Sequence, residues 1–194
     1  MDPAILRVTR KVATMLALGA GMAVAVLALL ITVDIVGRDG FGVSLQGTDE
    51  LGGYVLAFVG SLGMALTLLD RAHPRIDIFF RVFPAGLRAV LHVLALAVMA
   101  GFALFMTWQA LSEFRQTVRF GAITNTPLQT PLWVPQIVWL AGTAFFALTA
   151  CILMVHGLLL LRRDRARIER LYGPPTVEEE VASYTETETR YAGD

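Results

Sequence analysis

The chain has 194 residues, 56% of them hydrophobic and only 16% charged, with a formal net charge of zero. A water-soluble domain of this length carries nearer a quarter charged residues, and its apolar residues are spread by helical or strand periodicity rather than gathered into long uncharged blocks. That composition excludes an ordinary soluble domain and points to an integral membrane protein.

The first block, Val12 to Val33, holds no charge. As a helix it is about 33 Å long, enough for the hydrocarbon core. Arg7, Arg10 and Lys11 precede it. A secretory leader has an apolar core of only about 7–15 residues, followed by a small-residue cleavage site, so this block is expected to stay as a first span over about 12–36. Ala13, Ala17, Gly21 and Ala25 recur along it every fourth residue, a small-residue line of the kind that lets helices approach closely in lipid.

The span closes on "VDIVGRDGF". Asp34 and Arg38 are four apart with the acid first, a good helical pair. The second span, 51–69, opens on "GTDELGG". Thr48 is the expected N-cap, and Asp49 and Glu50 fall in the first turn, where negative charge is favoured. The Gly-rich connection is short enough for Arg38 to reach Glu50. Gly53, Ala57, Ser61 and Ala65 form a second small-residue line, an expected helix-packing face.

Between the second and third spans lies "RAHPRIDIFFRVFPAGLR", too charged to cross a bilayer and too apolar for a plain loop. Read as a helix from Pro74, it puts Ile76, Phe79, Phe80, Phe83 and Leu87 on one face and Arg75, Arg81 and Arg88 mainly on the other. Such a helix lies flat at the headgroup level, and Asp77 pairs with Arg81 at four-residue spacing.

The third span, 89–111, is interrupted only by His92. The connection after it, "SEFRQTVRFGAITNTPLQTPLWVP", is polar and then proline-punctuated, and reads as a loop. The fourth span, 132–161, contains the lone Cys151 and ends near His156. Trp108, Trp133 and Trp139 lie toward one membrane edge as an aromatic belt. Beyond Leu161 the chain continues as a basic helix to "GPP" at 173–175, and residues 173–194 read as an acidic, disordered tail.

Arginine and lysine cluster at the N-terminus, in the second connection and after the fourth span, whereas the first connection has Arg38 and the third Arg115 and Arg119. Positive residues mark cytoplasmic segments. The expected fold is therefore all-α, with four transmembrane helices over residues 1–172, both termini cytoplasmic, and a cytoplasmic amphipathic helix between spans two and three.

No acidic or basic side chain lies near the middle of any span, where a self-sufficient transporter keeps its ion or substrate groups. No phosphate loop, metal cluster or nucleophile motif is present. Those absences suggest an accessory membrane subunit and no enzyme. The alternative from a different class is a haem b-binding anchor of a redox enzyme, with His92 and His156 as ligands.

The order of "VDIVGRDGFG", "TDELGGYVLAFVGSLGMAL", "RAHPRIDIFFRVFP" and "TNTPLQTPLWVPQ" resembles the small membrane subunit of tripartite ATP-independent periplasmic (TRAP) transporters, over most of residues 12–160. The strongest element is the combination of Arg38, Glu50, His73, Arg75 and Asp77 in a four-span frame. The family often has an aromatic residue just before the acidic pair, where this chain has Gln46, Gly47 and Thr48. The resemblance implies an inner-membrane subunit that binds no substrate or cofactor. Its implied partners are a large multi-span subunit, which carries the substrate and sodium sites, and a periplasmic binding protein for an organic acid such as a dicarboxylate or sugar acid. Arg38, Asp49, Glu50, His73, Arg75 and Asp77 become interface or structural residues, and no nucleic acid is involved.

Overall fold

A computed structural model describes residues 3–72, 83–163, 168 and 171–173. His73, Arg75, Asp77, most of the amphipathic segment and the acidic tail lie outside the described residues. The chain forms four long helices, α1 (Pro3–Phe41), α2 (Thr48–Leu69), α3 (Ala85–Phe120) and α4 (Trp133–Arg163). Each is long and apolar enough to cross a membrane. Among the described residues the only strand-like pairing is an isolated bridge between Ile123 and Pro131.

The helices cover the uncharged blocks, apart from Leu132 at the start of the fourth, and most run past them. α3 absorbs the polar half of the expected loop: Ser112 to Phe120 continue the helix, which ends at Gly121 with φ 58°. Polar residues above the hydrocarbon can stay helical, and no glycine or proline interrupts the run before Gly121. Pro135 falls in the first turn of α4, where its missing N–H leaves no bond unmade. Hydroxyls inside the spans donate back one turn, as from Ser61 to the Ala57 carbonyl at 2.8 Å and from Thr149 to that of Phe145 at 2.9 Å. No polar atom of these side chains then faces lipid unpaired.

The helices pack in the order α1–α2–α4–α3. α4 is the hub, with Thr143, Phe146, Ala147, Thr149, Ala150 and Leu153 buried between its two neighbours. Its meeting with α2 is backbone-close. A Cβ built on Gly142 would lie 2.8 Å from the Ser61 Cβ and 3.0 Å from the Ser61 carbonyl carbon. At the other seam, Gly157 gives room to Leu96 and Val93 of α3, and the Thr107 hydroxyl reaches the Thr143 carbonyl at 3.0 Å.

α1 packs least. Ala13 and Ala20 are buried and Ala17, Ala23, Leu27 and Leu30 half-buried, whereas Gly21 and Ala25 of the expected line are exposed. Four residues overshoot a helical turn by about 40°, so three such steps swing about 120° off the starting face. The seam mixes steps of three and four instead, the register of a left-handed helix crossing. On α2, Ser61 and Ala65 are buried, Ala57 is half-buried and Gly53 is exposed.

Candidate functional site

Polar side chains gather at the two ends of the helices. At the end carrying the α1–α2 and α3–α4 connections, two carboxylates organise the loops. Asp34, only 3% exposed, accepts from the Arg38 Nη2 at 2.5 Å, the Ser44 hydroxyl at 3.0 Å and the Leu45 amide at 2.5 Å. The helical pair expected from the four-residue spacing therefore also pins the loop that follows. Gly42, at φ 65°, makes the reversal that brings Ser44 and Leu45 back to Asp34.

Glu50 is the second organiser. It accepts hydrogen bonds from the Tyr54 hydroxyl one turn along α2, from the Thr126 hydroxyl, and from the Thr124 hydroxyl at 3.0 Å. Thr124 and Thr126 come from the α3–α4 connection, whose backbone is drawn into a narrow turn by Thr124 N to Thr130 O at 3.1 Å and Leu132 N to Ala122 O at 3.1 Å. The same connection lays Leu128 on Gly47, where a built Cβ would overlap the leucine side chain. Gly47, at φ 95°, is also the residue that starts α2. The N-cap thus falls on Gly47 rather than Thr48, because only glycine tolerates both the left-handed backbone and the leucine above it.

Arg38 and Glu50 occupy separate clusters, each with its own partners, rather than forming the expected cross-loop contact. The Arg38 side chain remains 59% exposed beside Asp34, and Asp49 is exposed on the first turn of α2. Both carboxylate clusters are hydrogen-bonded to fixed donors. Their chemistry is that of a latch holding the α1–α2 loop, the start of α2 and the α3–α4 loop as one surface. Ser44, Tyr54, Thr124 and Thr126 escaped the sequence reading. Thr124 and Thr126 lie 74 and 76 residues from Glu50, and no local pattern announces a contact at that range.

The opposite end carries an exposed ion pair between Arg10 and Asp70, tying the start of α1 to the end of α2. α2 closes with Arg71 at φ 57°, bonded as Ala72 N to Thr67 O at 3.0 Å, the helix-ending turn that usually takes glycine. Past α4, Ile168 is fully buried and Tyr172 6% exposed. The Tyr172 hydroxyl meets the His156 Nδ1 at 2.6 Å, and burial pushes its pKa up to about 12. The Arg71 guanidinium donates to the Gly173 carbonyl at 3.2 Å. These contacts set Ile168 and Tyr172 against the bundle. Leu171 and Tyr172 border a largely apolar, open cavity of about 250 Å³ that His156 also lines. His92 is buried elsewhere on α3 and does not line it. The two imidazoles therefore do not face each other across one cavity, and the haem-anchor alternative finds no support in the arrangement.

A family model described as tripartite ATP-independent periplasmic transporters, DctQ component, matches residues 27–160, about two thirds of the chain. No curated protein and no solved structure matches it.

Proposed function

The chain belongs to the DctQ-component family of TRAP transporters, and from that membership we propose that it braces the large membrane subunit of a binding-protein-dependent secondary transporter. The family is a transporter component, not an enzyme family, and works with a large membrane subunit and a binding protein. In the proposed arrangement the four helices cross the inner membrane with both termini cytoplasmic. The arginine distribution supports this orientation. The end latched by Asp34 and Glu50 then faces the periplasm. Import is of an organic acid, driven by a sodium gradient, with substrate and ion sites in the large subunit. The lack of any mid-span acidic or basic residue in this chain agrees with that division of labour.

The family match carries the reading. Two structural features support a bracing role. Only 6% of the apolar stretch of α1 is buried within the chain, against 33% for α3 and α4, so most of α1 is available to a neighbour. On α2, Gly53 and Ala57 lie outside the fully buried part of the small-residue line, where a partner helix can approach closely. Arg38 and Asp49 offer charges at the periplasmic rim, and His73, Arg75 and Asp77 would do so at the cytoplasmic face.

The test is co-purification with the co-expressed large subunit in mild detergent, followed by uptake in proteoliposomes with the binding protein. Equal recovery of the two membrane subunits and uptake that depends on both are expected. Reversing the charge at Arg38 or Glu50 should lower complex yield or uptake and leave substrate preference unchanged. A shift in preference, or full uptake without this chain, would overturn the proposal.

A further inference from the structure

The last turns of α3, Ser112 to Phe120, take no part in the hydrogen bonds of the Asp34 and Glu50 clusters. Trp108, Ser112, Arg115, Gln116 and Arg119 border an open cleft of about 190 Å³ there. By helical geometry these five fall within an arc of about 100°. Ala103, Ala110 and Thr117 are buried and lie roughly opposite that arc, on the side of α3 that packs on α4. The cleft therefore faces out of the bundle.

Arg115 and Arg119 are exposed and four apart, a like-charged pair that repels on a helix. Among the described residues neither has a carboxylate partner. Arg119 lies 5.9 Å from the Phe120 ring centroid, a contact that does not neutralise its charge. Glu113 falls about 120–160° round the helix from the two arginines, off the face they share. A helix C-terminus favours a cation in its last turn, which accounts for Arg119 and not for Arg115.

Depth and direction select the anion. The uncharged block of α3 closes at Leu111, and as a helix it fills the hydrocarbon. Arg115 then stands about 6 Å and Arg119 about 12 Å beyond its edge, against a headgroup layer of about 5–8 Å. Helical side chains tilt toward their own N-terminus, which at this end of α3 means back toward the bilayer. Both guanidinium groups can thus reach headgroup level on their long stems. Toward the bilayer the same side of α3 continues into exposed Trp108 and Phe105, whose rings lie 6.3 Å apart. A face that runs from aromatic rings to paired cations without a break suits an amphiphile better than an acidic protein surface.

We propose that this outward face of α3 holds one anionic phospholipid of the adjacent leaflet, its phosphate at Arg115 and Arg119 and its glycerol end against Trp108 and Phe105. The inference needs the chain to sit in a bilayer, and neither the proposed orientation nor the bracing role enters it.

The full-length chain carrying Trp133→Phe and Trp139→Phe, with Trp108 as its sole tryptophan, is placed in vesicles that mix phosphatidylglycerol and phosphatidylcholine. Bromine is carried on the acyl chains of one lipid or the other, at equal mole fraction, and quenching of Trp108 is read. An association about tenfold or more in favour of phosphatidylglycerol is expected, the combined pull of two arginines near the surface. Adding Arg115→Gln and Arg119→Gln, both at exposed positions, should bring the two lipids close to parity. If the single-tryptophan form fails to fold, native mass spectrometry of the chain with its three tryptophans is the second measurement. One tightly retained phosphatidylglycerol should be lost with the arginine pair. Equal quenching by the two lipids would overturn the proposal, as would a preference that survives the arginine substitutions. Loss of the preference to millimolar inorganic phosphate would do so too, by marking a site for free anions. Parity between lipids, with the arginine variant instead shedding a protein that co-purifies with the unaltered chain, would assign the face to an acidic partner and equally overturn it.

Discussion

Gly142→Ala tests the central helix crossing. The new methyl would stand 2.7 Å from the Ser61 Oγ, 2.8 Å from its Cβ and 3.0 Å from its carbonyl carbon. Rotating the serine side chain relieves only the first contact, because Cβ and the carbonyl carbon move with the helix. Carbon atoms rest at about 3.5–4.0 Å, so α2 and α4 must part by roughly 0.7 Å, a gap that forfeits a quarter or more of the dispersion along the seam. Overpacking of this kind costs about 1–3 kcal/mol. The better helix propensity of alanine returns about 0.5–1 kcal/mol. The expected net loss is about 1–2 kcal/mol, read as a lower midpoint when the purified chain is unfolded by titrating in a denaturing detergent. Gly101→Ala is the control, since nothing lies within 4 Å of a Cβ there, and it should be neutral or slightly stabilising. Ser61→Gly in the Gly142→Ala background removes two of the three contacting atoms and should recover part of the loss, a coupling that separate sites would not display. The reasoning fails if Gly142→Ala behaves like Gly101→Ala, or if Ser61→Gly makes the double variant worse by its own single cost.

Gly47→Ala should destabilise the α2 start by about 1–3 kcal/mol through its positive φ alone, and Leu128→Ala should relieve only the added overlap; thermal unfolding of the single and double variants separates the two parts. Glu50→Leu leaves the hydroxyls of Tyr54, Thr124 and Thr126 without their shared acceptor, so the α3–α4 connection should show faster amide exchange while the mid-span amides of α3 keep their protection. Tyr172→Phe should cost about 1 kcal/mol at neutral pH through the lost His156 contact. A tyrosine whose pKa rises from 10.0 to about 12 on folding stabilises the fold fully below about pH 10 and loses that contribution as pH rises toward about 12; the Phe variant should lack this alkaline component in a pH series of unfolding midpoints.

The arrangement at the two ends explains what a single sequence can and cannot disclose. Asp34 and Arg38 were legible as a pair because four residues on a helix are neighbours whatever the tertiary fold. That Asp34 also binds Ser44 and Leu45 depends on the reversal at Gly42, and the threonines on Glu50 depend on where a loop some 75 residues away comes to rest. Thr48 looked like a cap because capping preference is local; the crowding of Gly47 by Leu128, which moves the cap by one residue, is not. The basic character of the segment after α4 is legible in its arginines, but the burial of Ile168 and Tyr172 against the bundle is a tertiary outcome.

Four spans were decided by the sequence itself, because an uncharged stretch of sufficient length has one low-energy place to go in a bilayer and one backbone form that satisfies its own hydrogen bonds there. The family followed from the order of short motifs along that frame. Which side of each helix meets another was decided only by the tertiary structure. In water the buried face is the apolar one, but lipid is as apolar as leucine, so composition does not distinguish the face of α1 that packs on α2 from the face left open. Small residues mark where close approach is permitted, as at Gly21 and Gly142 alike; only the crossing of α2 and α4 at Ser61 crowds a methyl at one of those two.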